Sequence, residues 1–373
     1  MNAERVLVVG GGIAGMSFAL RMRRYGWSVD LVESDPDWRV YGAGISIIGP
    51  TFRAFKRLGL LEDLRKLAFC CDFGARINTP AGQTIADVPA TPLEPGLPVV
   101  GGIMRPVLHK LLSTKTREAG VDVRLGVTMQ SVVDEGKSIT VTTSDGQTRD
   151  YALTVAADGV SSKTRTTFFP DAGPLHYTGQ YCWRLVESRP ESIDRANFYM
   201  AGQITAGVMP VSHSQLYMFL LHPEPAKIRV DEQDMWTRLK HMMAPFGGVL
   251  GEMRERLTSQ SVINCRPLES ILVPPPWHRG RMVLIGDAVH ATTPHLASGA
   301  GIAVEDALVL SELLSVQSSV PAALEQFTAR RFPRCRTVVE NSVSIGAMQL
   351  SDASPERLKK LMTESELALR HDI

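Results

Sequence analysis

The sequence predicts an α/β fold in which a parallel, doubly wound sheet is assembled from separated stretches, with a β-rich segment inserted between them. Three observations lead there. The chain opens on an apolar run followed by closely spaced glycines and an amphipathic stretch. Apolar runs near residues 153 and 282 also end in glycine turns. From about Gly173 to Asn264, aromatic and β-branched residues cluster in short runs instead.

The opening unit reads RVLVVGGGIAGMSFALRMRRYGWSVDLVES. Val6 to Val9 form a strand with no polar face, as expected for one covered on both sides. Gly10, Gly12 and Gly15 follow in GxGxxG spacing, and Ile13 to Tyr25 carry apolar residues at helical spacing. Arg21, Arg23 and Arg24 sit near the helix end, where cations suit the dipole. Gly26 stops the helix, and Ser28 to Val32 make a second strand ending in Glu33. This is a Rossmann-like pattern. Gly10 permits the tight turn, Gly12 lets backbone approach a pyrophosphate, and Gly15 lets helix pack on strand. Ile13 and Ala14 open the helix whose free N–H groups would face the phosphates. Glu33 stands where a carboxylate takes ribose hydroxyls, which argues against a 2′-phosphate but does not separate NAD from FAD.

Beyond Glu33 the text predicts a loop, a glycine-rich strand and a helix from about Thr51 to Leu58. Residues 72–98 read as short strands and turns, and a helix from Pro106 to Ala119 follows Arg105. SITVTTSDGQTRDY alternates around Asp145-Gly146, a hairpin signal. One helix, around Glu232 to Met243, is expected inside the β-rich segment. Met282 to Ile285 restore a buried strand, and helices run from there to the C-terminus. The domain boundaries expected are 1–71, 99–172 and 265–330 for the nucleotide-binding domain, 72–98 and 173–264 for the β-rich domain, and 331–373 for C-terminal helices. Arg330, Arg331, Arg334 and Arg336 read as a solvated helix face.

Composition excludes several classes. A net charge of +1 gives no field suited to nucleic acid or an anionic membrane. No run approaches the ~18 apolar residues of a membrane span. No signal peptide precedes the first strand. The five cysteines form no CxxC pair, so neither a disulfide framework nor a zinc ribbon is expected, and a reducing cytoplasm is the simplest setting.

VLIGDAVHATTPHLASGAGIAVEDA admits two readings. Asp287, His290 and His295 could be metal ligands, but Thr293-Pro294 interrupts any helical spacing, and no further Cys or carboxylate cluster completes the set. No metal is expected. In the other reading, Gly286 and Asp287 end a parallel strand at the sheet edge where ligands bind. Gly299, Ala300 and Gly301 then start a helix whose N-terminus favours negative charge by up to ~2 kcal/mol.

In order along the chain, GGGIAG, AADGVSSKTR and the stretch just quoted resemble the three motifs of class A flavin-dependent aromatic hydroxylases, a family that includes salicylate, hydroxynicotinate and alkylquinolone hydroxylases. YGAGISI, MRPVLHKLL, GQYCWRL and ARRFPRCR resemble further family segments, so the similarity spans nearly the whole chain. The resemblance implies a para-hydroxybenzoate hydroxylase-like fold: a Rossmann-like FAD-binding domain, an inserted β-rich substrate domain and C-terminal helices. It implies FAD as cofactor, with NADH or NADPH as co-substrate. Gly10, Gly12, Ile13, Ala14 and Gly15 would hold the pyrophosphate and Glu33 the ribose. Arg105 would contact FAD from the side, and Arg39 falls where relatives carry a basic residue near the flavin. Asp158 and Gly159, the family's DG pair, would sit near both cofactors. Gly286 and Asp287 would bind the ribityl or pyrophosphate part. Pro294, Gly299, Ala300 and Gly301 would wrap the isoalloxazine, whose reduced form is anionic. Ser298 departs from the Gln common in relatives.

The cycle so implied is hydride transfer to the flavin, oxygen addition at C4a to give a hydroperoxide, and hydroxylation of an electron-rich ring. A base that deprotonates a phenolic substrate would help. His295, His213 and Tyr217 are the candidates. Ile45, Ile47, Trp183, Arg184, Val208, Met218, Leu220 and Pro294 are the expected pocket, mostly apolar, suggesting an aromatic or heteroaromatic substrate without many charges. The alternatives are a non-hydroxylating flavin oxidoreductase of the same fold (reductase, dehydrogenase or halogenase-like) and a flavin-binding regulator. The WxWxIP segment of flavin halogenases is absent. The partners expected are a small aromatic molecule and O2, with the chain a monomer or homodimer.

Overall fold

Val6 to Val9 lack any polar side chain, and they lie near the middle of a six-stranded sheet. The order is His278–Arg279, Met282–Leu284, Leu153–Ala156, Arg5–Val9, Ser28–Glu33, Asp122–Leu125. Neighbours are parallel except at the first pair. In this computed structural model residues 4–40, 42, 44–351 and 353–373 are described. Helix Ile13–Arg24 packs on helix Gly299–Val316, which also lies against Gly49–Leu58 and Val320–Leu350. All these helices feed one apolar core with the sheet. The hairpin at Asp145-Gly146 joins strands Ile139–Thr143 and Thr148–Tyr151, with Gly146 at φ 83°.

A seven-stranded sheet carries the β-rich part. Its order is Ile263–Ser270, His176–Ser188, Gln215–Pro223, Ile204–Pro210, Asn197–Ala201, Ala75–Asn78, Thr84–Val88. Strand Ile263–Ser270 pairs with His176–Ser188 across the boundary expected at 264/265, because its backbone continues the ladder past that point. Helix Val320–Leu350 likewise runs through the boundary expected at 330/331. Where one helix was expected in this region there are two, Met235–Met242 and Gly248–Arg256.

The pleat gives this sheet two unlike faces. Trp183, Leu185, Val208, Met218 and Leu220 point to one side and are sealed beneath the two helices by Leu239, Met243, Phe246, Leu250 and Met253. Met209, Val211 and Tyr217 point to the other, against Val100 and Met104 of the flavin-domain side. Trp183, Val208, Met218 and Leu220 are therefore core residues of the outer layer, not pocket residues. Their alternation fixed them to one face, and apolar character alone could not say which. Ile47 is also corrected: it is buried in the main core. Ile45 is partly buried against the same core.

The arginine run is corrected as well. Arg331 is fully buried and Arg334 nearly so, each turned inward onto acids of helix Gly299–Val316.

Candidate active site

The three glycines of the first loop differ in what surrounds them. Gly10 has φ 105°, and a Cβ there would lie 2.4 Å from the carbonyl oxygen of Ala157. At Gly15 a Cβ would come 2.1 Å from the Gly10 carbonyl oxygen, so helix and strand touch. At Gly12 nothing lies within 4 Å. The backbone there borders open space at an uncapped helix N-terminus, with Ile13 and Ala14 following it. That is a cradle for a phosphate group. Glu33 accepts from the Gly11 N–H at 2.8 Å, which holds its carboxylate beside the turn. Trp38, missed in the sequence, closes the loop from outside by donating its indole N–H to the Gly11 carbonyl at 2.9 Å.

Two later motifs are locked to this one. Gly286 lies against Ala14, since a Cβ on Gly286 would fall 2.7 Å from that methyl. Asp158 accepts from the Ser162 hydroxyl at 2.5 Å and the Thr164 N–H at 3.0 Å, capping helix Lys163–Phe168. Gly159 next to it has φ 78° and open space around it. Arg165 then ties the segments together by donating to the carbonyls of Val160 and Ala288, at 2.8 and 2.9 Å. Asp287 begins the short helix Asp287–His290, partly exposed at the sheet's C-terminal edge.

His290 turns inward. Its Nε2 lies 2.6 Å from Asp306, which also accepts from the Gly286 N–H at 2.9 Å and from Arg331 Nε at 2.8 Å. Burial opposes the imidazolium, but Cys335 and Asp306 beside it outweigh that and hold the His290 pKa well above its usual value. His290, Asp306 and Cys335 bring ligand atoms within 4.8 Å of one another. Arg331 already donates to both Asp306 and Cys335, so this cluster is an ion-pair network rather than a cation cage.

The segment from Pro294 to Gly301 makes a 3-10 turn, Pro294–Leu296, then a left-handed Ala297 at φ 48°, then helix Gly299–Val316. Pro294 is exposed. Ser298 is buried and donates to the Leu296 carbonyl at 2.7 Å, so its hydroxyl holds the loop's own shape and leaves the helix uncapped. The N–H groups of Gly299, Ala300 and Gly301 open the helix without intrahelical partners. A Cβ on Gly301 would lie 2.4 Å from Thr51 Oγ1, which explains the glycine by close helix packing.

The three proposed bases lie in different surroundings. His295 Nδ1 is 2.9 Å from Thr293 Oγ1, and its ring packs against Gly346 of helix Val320–Leu350, beside Gln180. Burial pushes its pKa down to about 4, only partly offset by the Gln349 side chain nearby. Tyr217 is buried on the sheet face toward Gly44 and Arg105. Burial and the Cys182 thiol push its phenol up to about 12, against the lowering effect of Arg184 and Arg105. At neutral pH it is therefore a hydrogen-bond donor, which corrects its reading as a base. His213 is an exposed turn residue stacked edge-on with Phe69, at 6.1 Å between ring centres. The geometry does not bring it to the other two.

Arg184 shares the Tyr217 face, and its charge acts on the phenol. Arg105 begins helix Arg105–Glu118, exposed, its Cδ next to Gly42. Arg39 is exposed and lies 3.4 and 3.3 Å from carboxylates of Asp35 and Asp37.

The residues present fit FAD. Two uncapped helix N-termini, at Gly12 and at Ser298, supply N–H groups for anionic groups. Glu33 and Asp287 supply acceptors for hydroxyls, and the open backbone at Gly12 lets a pyrophosphate approach.

Comparison with known proteins agrees. A family described as FAD binding domain matches residues 4–342. The chain is 30% identical to the putative FAD-dependent monooxygenase YetM of Bacillus subtilis (strain 168), covering 92% of this chain and 93% of that protein. It is 31% identical to the 2-heptyl-3-hydroxy-4(1H)-quinolone synthase of Pseudomonas aeruginosa (strain UCBPP-PA14), covering 83% of this chain and 80% of that one. In structure it is similar to Klebsiella pneumoniae HpxO complexed with FAD and uric acid, at TM-score 0.84 and 23% identity over 98% of this chain and 97% of that one. With the family match running from the dinucleotide loop through both later motifs and into helix Val320–Leu350, this chain belongs to the FAD-binding-domain family and is an FAD-dependent monooxygenase.

Proposed function

We propose that the protein hydroxylates a small aromatic or heteroaromatic ring, with NAD(P)H as reductant and O2 as oxidant. The observation that carries this reading is the open backbone cradle at Gly12 together with the uncapped helix N-terminus at Ser298, in a chain whose residues 4–342 match an FAD binding domain. Bound FAD supplies the hydride-accepting and oxygen-activating chemistry, as flavins do. This chain's residues do the rest. Gly10 to Gly15 and Glu33 bind the adenosine diphosphate part, and Asp287 the chain between phosphates and ring. The helix starting at Gly299 aims its N–H groups at developing negative charge. The sheet covers the opposite side and excludes water.

For the ring proton, His295 is neutral at physiological pH and can accept, while Tyr217 stays a neutral phenol and supplies no base. The names of relatives support a planar heteroaromatic substrate, since one similar protein is a quinolone synthase and a similar structure holds uric acid. The test is a panel of phenols, hydroxypyridines, quinolones and purines with FAD-loaded protein. The expected result is that one ring class stimulates both NAD(P)H oxidation and oxygen uptake and yields a product heavier by one oxygen atom. NAD(P)H oxidation that yields only hydrogen peroxide with every compound would refute the proposal.

A further inference from the structure

The GxGxxG spacing leaves position 11 open to any residue, yet this chain carries a further glycine there. The reason is Trp38. A Cβ on Gly11 would lie 2.3 Å from the indole nitrogen of Trp38, so the ring sits directly on this peptide. The indole N–H donates to the Gly11 carbonyl at 2.9 Å.

Trp38 is itself held in place from several directions. It is buried, and its backbone is left-handed at φ 50°, a conformation that a bulky residue keeps only where its surroundings enforce it. Its backbone N–H closes a turn onto the Asp35 carbonyl at 3.1 Å. Glu33 ties that turn to the glycine loop: one carboxylate oxygen accepts from the Asp35 N–H at 2.9 Å and the other from the Gly11 N–H at 2.8 Å. Helix Arg105–Glu118 adds two contacts to the indole. His109 meets it edge-on, at 5.4 Å between ring centres, and the Arg117 guanidinium lies 5.1 Å from the ring centre.

The consequence follows from the peptide plane. In a trans peptide the carbonyl of one residue and the N–H of the next point in opposite directions. The Gly11 carbonyl and the Gly12 N–H belong to one such unit. With the carbonyl fixed on Trp38, the Gly12 N–H points away from the indole. Gly12 is the N-cap of helix Ile13–Arg24, so this N–H lies outside the intrahelical ladder. Three glycines in a row would otherwise let the unit turn over at little cost. The reversed peptide would present a carbonyl oxygen where the N–H should be, and a carbonyl repels phosphate.

We infer that Trp38 is a positioning residue for the cofactor: its hydrogen bond locks the Gly11–Gly12 peptide in the orientation that offers an N–H, not a carbonyl, to the FAD pyrophosphate. This rests on the fit to FAD and not on the choice of ring substrate, so an unreactive substrate panel leaves it standing.

The experiment removes the donor and keeps the shape. Trp38 is replaced by benzothienylalanine, in which sulfur stands for the indole N–H, and separately Trp38→Phe is made. FAD is titrated into FAD-free protein and followed by flavin fluorescence, and the FAD-loaded proteins are compared by phosphorus NMR. Losing one oriented hydrogen bond corresponds to about three- to tenfold in affinity. Both variants should therefore bind FAD about three- to tenfold more weakly, and in both at least one pyrophosphate resonance should move. A merely structural role would leave those resonances in place. If Trp38→Phe does not fold, the sulfur isostere decides. The inference is overturned if the isostere binds FAD within about twofold of the parent, or if its pyrophosphate resonances are unmoved. Unaltered protein that binds no FAD would defeat the cofactor reading and this inference with it.

Discussion

Gly10 and Gly12 stand two positions apart in one loop, yet replacing them should have opposite consequences. A methyl at Gly10 meets the Ala157 carbonyl and a left-handed backbone, so Gly10→Ala should cost about 1–3 kcal/mol in the FAD-free protein, read by chemical or thermal unfolding. Gly12 has φ −83° and open space. Gly12→Ala should leave FAD-free stability within about 0.5 kcal/mol and weaken FAD binding tenfold or more, because the methyl stands where a phosphate must approach. Equal effects of the two on unfolding would contradict this division of labour. His295 offers a pH test. Its folded pKa, about 4, lies below the ordinary 6.5, so between those values the unfolded chain binds the extra proton. Stability should therefore fall as pH drops from about 6.5 to about 4, by at most roughly 3 kcal/mol from this group. In His295→Gln the slope in that window should be shallower, measured as unfolding free energy against pH. An unchanged slope would show that the ring is not buried neutral.

Among the elements, helix Gly299–Val316 has the most to hold together. Its first turn is uncapped, and its Glu305 and Asp306 lie one turn further on, paired with Arg331, Arg334, His290 and the Gly286 N–H. One buried carboxylate thus sets the position of the Gly286-Asp287 turn relative to the helix N-terminus. Asp306→Ala leaves the buried His290 imidazolium without its carboxylate and Arg331 with Glu305 alone, and should destabilise by about 3–5 kcal/mol. Asp306→Asn, which keeps the shape and acceptor oxygen, should lose less and retain more FAD, judged by melting temperature and by the flavin absorbance of purified protein. Equal FAD content in all three proteins would separate this network from the cofactor site. The network explains why the arginine run looked like a solvated face. Charge density alone favours solvent, and the acids that turn Arg331 and Arg334 inward lie 25 or more positions away in the sequence. The second helix of the β-rich part, Gly248–Arg256, was missed for a local reason. It is short and starts and ends among glycine and arginine, although Leu250, Met253 and Leu257 carry a helical spacing.

At the scale of the whole molecule, the proposed cofactor site is drawn from parts far apart in the chain: the loop at Gly10, the segment at Asp158, the turn at Gly286 and the helix at Gly299. A ligand bound by all of them should act as a structural bridge. Stripping FAD should lower the melting temperature, and adding it back at about 100 times its dissociation constant should restore roughly 2.7 kcal/mol. A melting temperature indifferent to FAD would mean that these segments do not share one ligand. No helix among the described residues is long and apolar enough to cross a membrane.

The sequence by itself determined the parallel sheet, the glycine turns and the family, because these rest on local pattern. An apolar run, a GxGxxG turn and an acid at the next strand's end each depend on residues within about thirty positions. Only the tertiary structure decided which face of the seven-stranded sheet is covered by which partner. Trp183, Val208, Met218 and Leu220 are as apolar as any pocket wall, but the pleat sends them to the face that two helices cover. Arg184 and Tyr217 alternate with them onto the opposite face, where Tyr217 packs on the side of Val100 and Met104. Alternation is written in the sequence. The side of the sheet on which each partner docks is not, because it is fixed by packing between elements that are separate in the chain.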